Sequence, residues 1–306
     1  MDGVIPVWKE CGMTSHDVVF KMRKLFKQKR IGHCGTLDPE VQGVLVVCLG
    51  QATKLVEFLM EGRKVYQGEI YLGRATDTED GQGQTVESKR VNQPIPDQVI
   101  DQTMAKLTGS ITQIPPLYSA VKVKGRRLYE YARAGIPVER PQRQVQIYNF
   151  VRTQPSQYDS LQESQTWPFE VSCSKGTYIR TLAVDCGQLL GYPSHMASLT
   201  RIEAAGFSKD QSYRLDQLKQ LLETDQIHRA LIPLEKAVKS FPRNDLSTDL
   251  FDKVKHGQVL DQDDFEPALD QETACFYQGR LEAIYGPHPE KIGKAKPIKM
   301  FPNLEV

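Results

Sequence analysis

The chain has 306 residues, enough for about two domains at the usual allowance of roughly 150 residues each. With 40% hydrophobic and 25% charged residues it reads as globular with a sizeable core, and a net charge of +1 excludes both a strongly basic nucleic-acid coater and an acidic disordered chain. That charge is unevenly placed: residues 244–306 hold 12 acidic and 7 basic side chains, whereas residues 1–243 hold 26 acidic and 32 basic. Much of the excess lies in two segments, one with Lys21, Arg23, Lys24, Lys27, Lys29 and Arg30, the other with Lys122, Lys124, Arg126 and Arg127. A charge run is usually a solvated face; two of them near Tyr118, Tyr129 and Tyr131 fit a phosphate-backbone partner.

No apolar run approaches the ~18 residues of a membrane span, and Lys9 and Glu10 interrupt the N-terminus too early for a signal peptide to be expected. Six cysteines without a C-x-x-C pair argue against zinc or a disulfide framework, and for reduced thiols in the cytoplasm.

In chain order, residues 3–8 form an apolar strand. Thr14-Ser15 caps a helix on which Val18, Val19, Met22 and Phe26 share a face opposite the cations. Residues 44–49 read as a buried strand, 52–60 as helical, 65–72 as a strand and 76–83 as an acidic, glycine-bearing loop. A helix over 96–107 stops at Gly109, and a β-like stretch over 117–123 ends at the Lys124-Gly125 turn. A short helix over 128–134 precedes strands over 144–151 and 169–173, and a helix over 181–190 ends at Gly191. Another helix covers 215–222. Strands and helices alternate only loosely, which favours an α+β chain with a mixed, largely antiparallel sheet. Pro242 and Asn244 mark a boundary where the charge changes sign. Beyond it come a helix over 246–256, a hairpin of 273–277 and 280–285 across Gln278-Gly279, and a last strand over 296–301. This β-rich unit is small for an independent core and is expected to dock on residues 1–243.

The most distinctive segment is Gly32-His33-Cys34-Gly35-Thr36-Leu37-Asp38-Pro39, followed by Gly43 and the 44–49 strand. The glycines allow tight turns and Pro39 stiffens the chain, so Asp38 sits on a rigid loop at the edge of the core. Alone, an Asp-Pro is more often a plain turn. The segment Ser174-Lys175-Gly176-Thr177-Tyr178-Ile179-Arg180 joins a strand to a helix and could form an anion site or a simple cap with surface cations. Lys64-Val65-Tyr66 enters a strand, where a tyrosine is more often packing than a stacking platform.

Residues 32–39 with Gly43, 64–66, 73–80 and 173–180, in this order, resemble the bacterial tRNA pseudouridine synthase B family, whose members isomerise the uridine at position 55 of the T-loop. The resemblance runs from about Val4 to Phe207 and continues more weakly into the tail, which resembles the family's small RNA-binding PUA-type domain. It implies a catalytic domain over 1–243 and a PUA-like domain over 244–306, with an insertion at about 120–143 that closes on RNA. By position, Asp38 matches the nucleophile, Tyr66 the residue that stacks on the target base, and Arg180 the arginine paired with the aspartate. Tyr178 and Leu199 match pocket residues, His33 a contact to the flipped nucleotides, and Asp80 a polar residue near the site. Lys9 and Lys175 are carried as further substrate contacts. The family's Lys-Pro is here Lys9-Glu10.

The chemistry suits these residue types. A carboxylate can attack or stabilise cationic character at a sugar carbon, and a neighbouring Arg180 would hold its rotamer. The uridine must leave its stack, and an aromatic face receives it. No redox step or hydrolysis occurs, so no cofactor or metal is expected; the partner is the tRNA T-arm, and a monomer suffices. One rival is a non-catalytic tRNA-binding or folding protein on the same scaffold, which could have lost Asp38, Tyr66 or Arg180. Another is a glycosidase, which needs a second acid beside Asp38; Asp77, Glu79 and Asp80 are candidates by count.

Overall fold

The 44–49 run is apolar at every position because both faces of its strand are covered. In the computed structural model, which describes residues 1–302, this strand is β3 (Gln42–Leu49), paired antiparallel to β1 (Gly3–Lys9). Ile5, Val7, Leu45, Val47 and Leu49 face α1 (Ser15–Leu25) and the helix Leu215–Glu223. Val4, Val44, Val46 and Cys48 face the opposite way, toward Phe276, Leu281 and Ile284 of a second sheet and Phe301 just beyond its last strand. A strand covered twice loses the alternation that a half-exposed strand shows.

β3 lies near one end of a mixed sheet. After β2 (Ile31–His33) and β4 (Lys64–Leu72) come β5 (Gly109–Gln113), β6 (Arg143–Arg152), β7 (Ser164–Cys173) and β8 (Ser194–Ala204). The order across the sheet is β1-β3-β8-β4-β7-β6-β5, with β2 beside β3. Of the ladders among these eight strands, only β3–β8 is parallel. The helices Asp97–Lys106 and Ile179–Leu190 pack on the β4–β7–β6 half, where Trp167, Phe169, Ile70 and Leu182 centre a second core. This is the expected α+β class with a largely antiparallel sheet.

The second sheet is built from Arg243–Asp245, Leu260–Asp261, Thr273–Tyr277, Arg280–Pro287 and Lys294–Met300. Its hairpin turns at Gln278-Gly279, both with positive φ, as a tight two-residue connection requires. It has its own core around Phe265 and Tyr285, yet its other face joins that of β1 and β3. The last four residues of the expected 244–306 unit lie outside the described residues. Among the described residues no helix is long and apolar enough to cross a membrane.

Three of β1–β8 escape the sequence reading: β2, which is only three residues long, β5, which is mostly polar, and β8, which is central. The stretch 117–123 is strand only at Lys122–Val123, paired with Arg126–Arg127. Its carbonyls go elsewhere: Tyr118 O to Arg180, Ser119 O to Tyr129 N and Val121 O to Leu128 N.

The parallel contact is two residues long, Thr200 with Gln42 and Arg201 with Gly43. A Cβ on Gly43, whose φ is +131°, would sit 2.2 Å from the Arg201 carbonyl oxygen and 2.6 Å from its nitrogen. Backbone cannot yield there. Gly43→Ala is therefore expected to cost about 3 kcal/mol; a melting temperature within about 2 °C of the parent would contradict the packing.

Candidate active site

β2 and β8 share one edge of β3. β2 covers Val47 to Leu49, β8 covers Gln42 and Gly43, and the chain between them, residues 34–41, leaves the sheet through the gap. Buried groups hold this loop from below. Ser15 Oγ, at the start of α1, accepts from Leu37 N at 2.8 Å and donates to its carbonyl at 3.2 Å. Ser15 is placed there by a capping box of Thr14 and Asp17. Lys9 Nζ and Gly12 N both donate to Pro39 O, at 2.9 and 3.1 Å. Arg201 donates to the carbonyls of Gly35 at 3.2 Å and Thr36 at 3.5 Å. The loop's backbone is thus tied at four successive places before and after Asp38.

Asp38 Oδ2 lies 3.0 Å from Arg180 Nη2. Arg180 is in the first turn of the helix Ile179–Leu190, and its side chain is 6% exposed, against 45% for Asp38. The guanidinium also donates to Thr78 O at 2.9 Å and Tyr118 O at 3.0 Å, and stands 3.8 Å from Asp80 Oδ2. The approach to Arg180 is set by Gln113. This buried side chain accepts from Tyr178 N at 2.9 Å and donates to Tyr178 O at 3.1 Å.

The pair opens on a cavity of about 300 Å³. Lys64 and Tyr66 of β4 and Leu199 and Arg201 of β8 form its floor, since residues two apart on a strand share a face. Residues 35–38 and 174–180 form the walls, and Ser119 and Ala120, where the insertion begins, close one side. Gly68 lies opposite Leu199; a Cβ there would meet Ser198 O at 2.4 Å. Burial pushes the Tyr66 phenol up from its ordinary value, so the ring is neutral at neutral pH.

The structure therefore brings together Asp38, Tyr66, Tyr178, Arg180, Leu199 and, at the rim, Lys175, whose ammonium pairs with Glu61. It does not bring Lys9 to the cavity. Lys9 is wholly buried, with Nζ shared among the carbonyls of Glu10, Met13 and Pro39; it supports the loop and offers substrate nothing. Asp80 stands behind Arg180, with Oδ1 accepting from Thr78 Oγ1 and Gln82 N. His33 lies on β2 outside the cavity; burial and then the Arg201 charge push its imidazole down. Glu10, in place of the family proline, faces Arg214 at 3.8 Å and leaves Lys9 and Gly12 on Pro39.

Sequence reasoning missed Ser15, Gln113 and Arg201, and had Glu79 only as a candidate second acid. Glu79 accepts from Thr181 Oγ1 at 3.0 Å and stands 3.7 Å from Arg140, the far end of the insertion. Ser15 was marked only as part of a helix start, and Gln113 and Arg201 lay in strands not recognised as strands.

Residues 23–179 match the family described as TruB family pseudouridylate synthase (N terminal domain), and residues 180–239 match the tRNA pseudouridylate synthase B C-terminal domain. The chain is 49% identical over 285 residues to tRNA pseudouridine synthase B of Pediococcus pentosaceus, covering 93% of this chain and 94% of that one. It is 47% identical over 304 residues to the protein of the same name from Halalkalibacterium halodurans, covering 99% and 98%. Among solved structures, a chain of a Cbf5-Nop10-Gar1 complex shares 27% identity at a TM-score of 0.73, over 98% of this chain and 84% of that one. A chain of an H/ACA RNP bound to a substrate RNA containing 2'-deoxyuridine shares 25% identity at 0.70, over 97% and 84%. These likenesses extend over both sheets, so the fold is that of a pseudouridine synthase with a small β-rich, PUA-like unit. With matches of this extent, the chain belongs to the TruB family of pseudouridylate synthases.

Proposed function

We propose that this enzyme of tRNA isomerises the uridine at position 55 of the T-loop, with Asp38 as nucleophile. The observation that carries the reading is the Asp38–Arg180 pair at 3.0 Å, which shares with Tyr66 the lining of a cavity of about 300 Å³. That volume is at the lower end for small-ligand pockets and suits one nucleoside. A T-loop uridine leaves its stack and lays its uracil on Tyr66, with Leu199 beside it. Arg180 holds the carboxylate toward the sugar. The N1–C1′ bond breaks, the uracil turns, and C5 bonds to C1′ while the C5 proton leaves. The 120–143 insertion closes over the T-arm, in keeping with its exposed cations: Arg127 and Arg133 both flank the Tyr129 ring, and Arg126 that of Tyr131. The PUA-like unit, acidic overall, adds fit more than attraction. A cytoplasmic monomer suffices for all of this.

The reading is tested by carbodiimide mapping of pseudouridine in tRNA from cells lacking the protein. Loss confined to the T-loop uridine supports it, and an unchanged pattern overturns it. Salt dependence tests the surfaces. Replacing Lys122, Lys124, Arg126 and Arg127 by alanine is expected to reduce the slope of log K against log[salt] by about 1–2 units. Replacing Lys291 and Lys296 of the tail is expected to change it by less than about half a unit. Equal effects would remove the insertion from the contact surface.

A further inference from the structure

Arg201 is a cation that the fold takes wholly out of solvent, at 1% exposure. Burying a guanidinium is costly and is ordinarily offset by a carboxylate. Among the described residues no carboxylate lies within ion-pair reach of it. Its donors go to the carbonyls of Val44 at 2.8 Å, Gly35 at 3.2 Å and Thr36 at 3.5 Å. Those carbonyls take up three of its donors, Tyr66 is a further side-chain partner, and none of these neutral groups compensates its charge. Lys64, on the adjoining strand, is in the same state, with Nζ donating to Met60 O at 2.6 Å and Gly62 O at 2.7 Å. Burial first and the Arg201 charge next push that ammonium down to about 8. Both side chains line the cavity that holds Asp38.

Arg201 is also the direct cross-strand neighbour of Tyr66. Such partners point to one face of the sheet, and the Arg201 charge opposes the upward push of burial on the Tyr66 phenol. One side chain thus touches both halves of the site: the backbone leading to Asp38 and the ring under the base.

We propose that Arg201 is a positioning residue of the isomerisation, fixing the Asp38 loop and the Tyr66 ring in one relation while its uncompensated charge favours departure of the base. The inference rests on the isomerase reading above. When the N1–C1′ bond breaks, the bonding pair leaves with the uracil and spreads over N1 and the two carbonyl oxygens. Asp38 offsets the positive character left on C1′ until C5 supplies the new pair and its proton leaves. A fixed positive charge that is itself buried in the cavity floor acts on that departing anion more strongly than a hydrated one would.

The test compares wild type, Arg201→Lys and Arg201→Met in single-turnover conversion and equilibrium binding of a T-arm stem-loop RNA. Wild-type conversion in the same assay tests the isomerase reading by itself. Arg201→Met is expected to slow conversion about 100-fold and Arg201→Lys about tenfold, with both binding RNA within about threefold of wild type. The loss then falls on kcat and not on KM. An Arg201→Met rate within about threefold of wild type overturns the proposal. So does an Arg201→Lys rate no better than that of Arg201→Met, or a loss of binding as large as the loss of rate. If Arg201→Met does not fold, Arg201→Lys decides: a tenfold loss (roughly) with binding kept upholds the proposal, and a wild-type rate overturns it.

Discussion

Asp38→Asn is expected to lower pseudouridine formation by at least about a thousandfold while leaving T-arm affinity within about threefold. The geometry makes this a clean substitution. The loop is held through its backbone by Ser15, Lys9, Gly12 and Arg201, and none of those bonds involves the Asp38 side chain. Arg180 loses one partner but keeps Thr78 O, Tyr118 O and Asp80. The amide fills the same space at a half-exposed position, so the melting temperature should stay within about 3 °C. What disappears is the negative oxygen facing the sugar. Release of tritium from C5 of the target uridine in a single turnover measures the loss, and filter binding measures affinity. Turnover within tenfold of wild type, by rough allowance for residual catalysis, would remove Asp38 from the chemistry.

Legibility in the sequence followed burial. Val44–Leu49 was readable because two cores cover one strand, so every position is apolar. β8, the strand between β3 and β4, was not. Its His195, Ser198, Thr200, Arg201 and Glu203 break any apolar alternation, because part of the strand lines the cavity and its register shifts twice. Polar residues at an interior strand are where local pattern and global fold disagree, and such disagreements gather at functional sites. Lys9 misled in the opposite sense. Lysine is rarely buried whole, so an accessible contact was the natural expectation, whereas its three carbonyl partners come from segments that meet only in the fold. The motif around Asp38 and that around Arg180 were each visible, but their 3.0 Å approach depends on β4, β7 and β8 pairing side by side. Spacing along the chain carries no trace of that.

Replacing Arg180 probes the same pair from its buried side, and the outcome should differ from that at Asp38. Arg180→Met removes donors from Asp38, Thr78 O and Tyr118 O and the counter-charge of Asp80. Deleting one partner of a fully buried ion pair costs about 3–5 kcal/mol. Here Asp38 recovers hydration, and Asp80 keeps Thr78 Oγ1 and Gln82 N, so a loss of about 1–3 kcal/mol is expected. Turnover should fall about a thousandfold, because the carboxylate loses its fixed rotamer and the Tyr118 end of the insertion loses its tie to the site. Arg180→Lys should recover little, remaining at least about 100-fold slow, since one ammonium cannot reach two carboxylates and two diverging carbonyls. The decisive comparison is the double variant Asp38→Asn/Arg180→Met in the tritium-release assay. If the two residues act as one unit, its rate matches that of Asp38→Asn alone within about threefold. Losses that multiply would mean that Arg180 serves catalysis by a route that does not pass through Asp38.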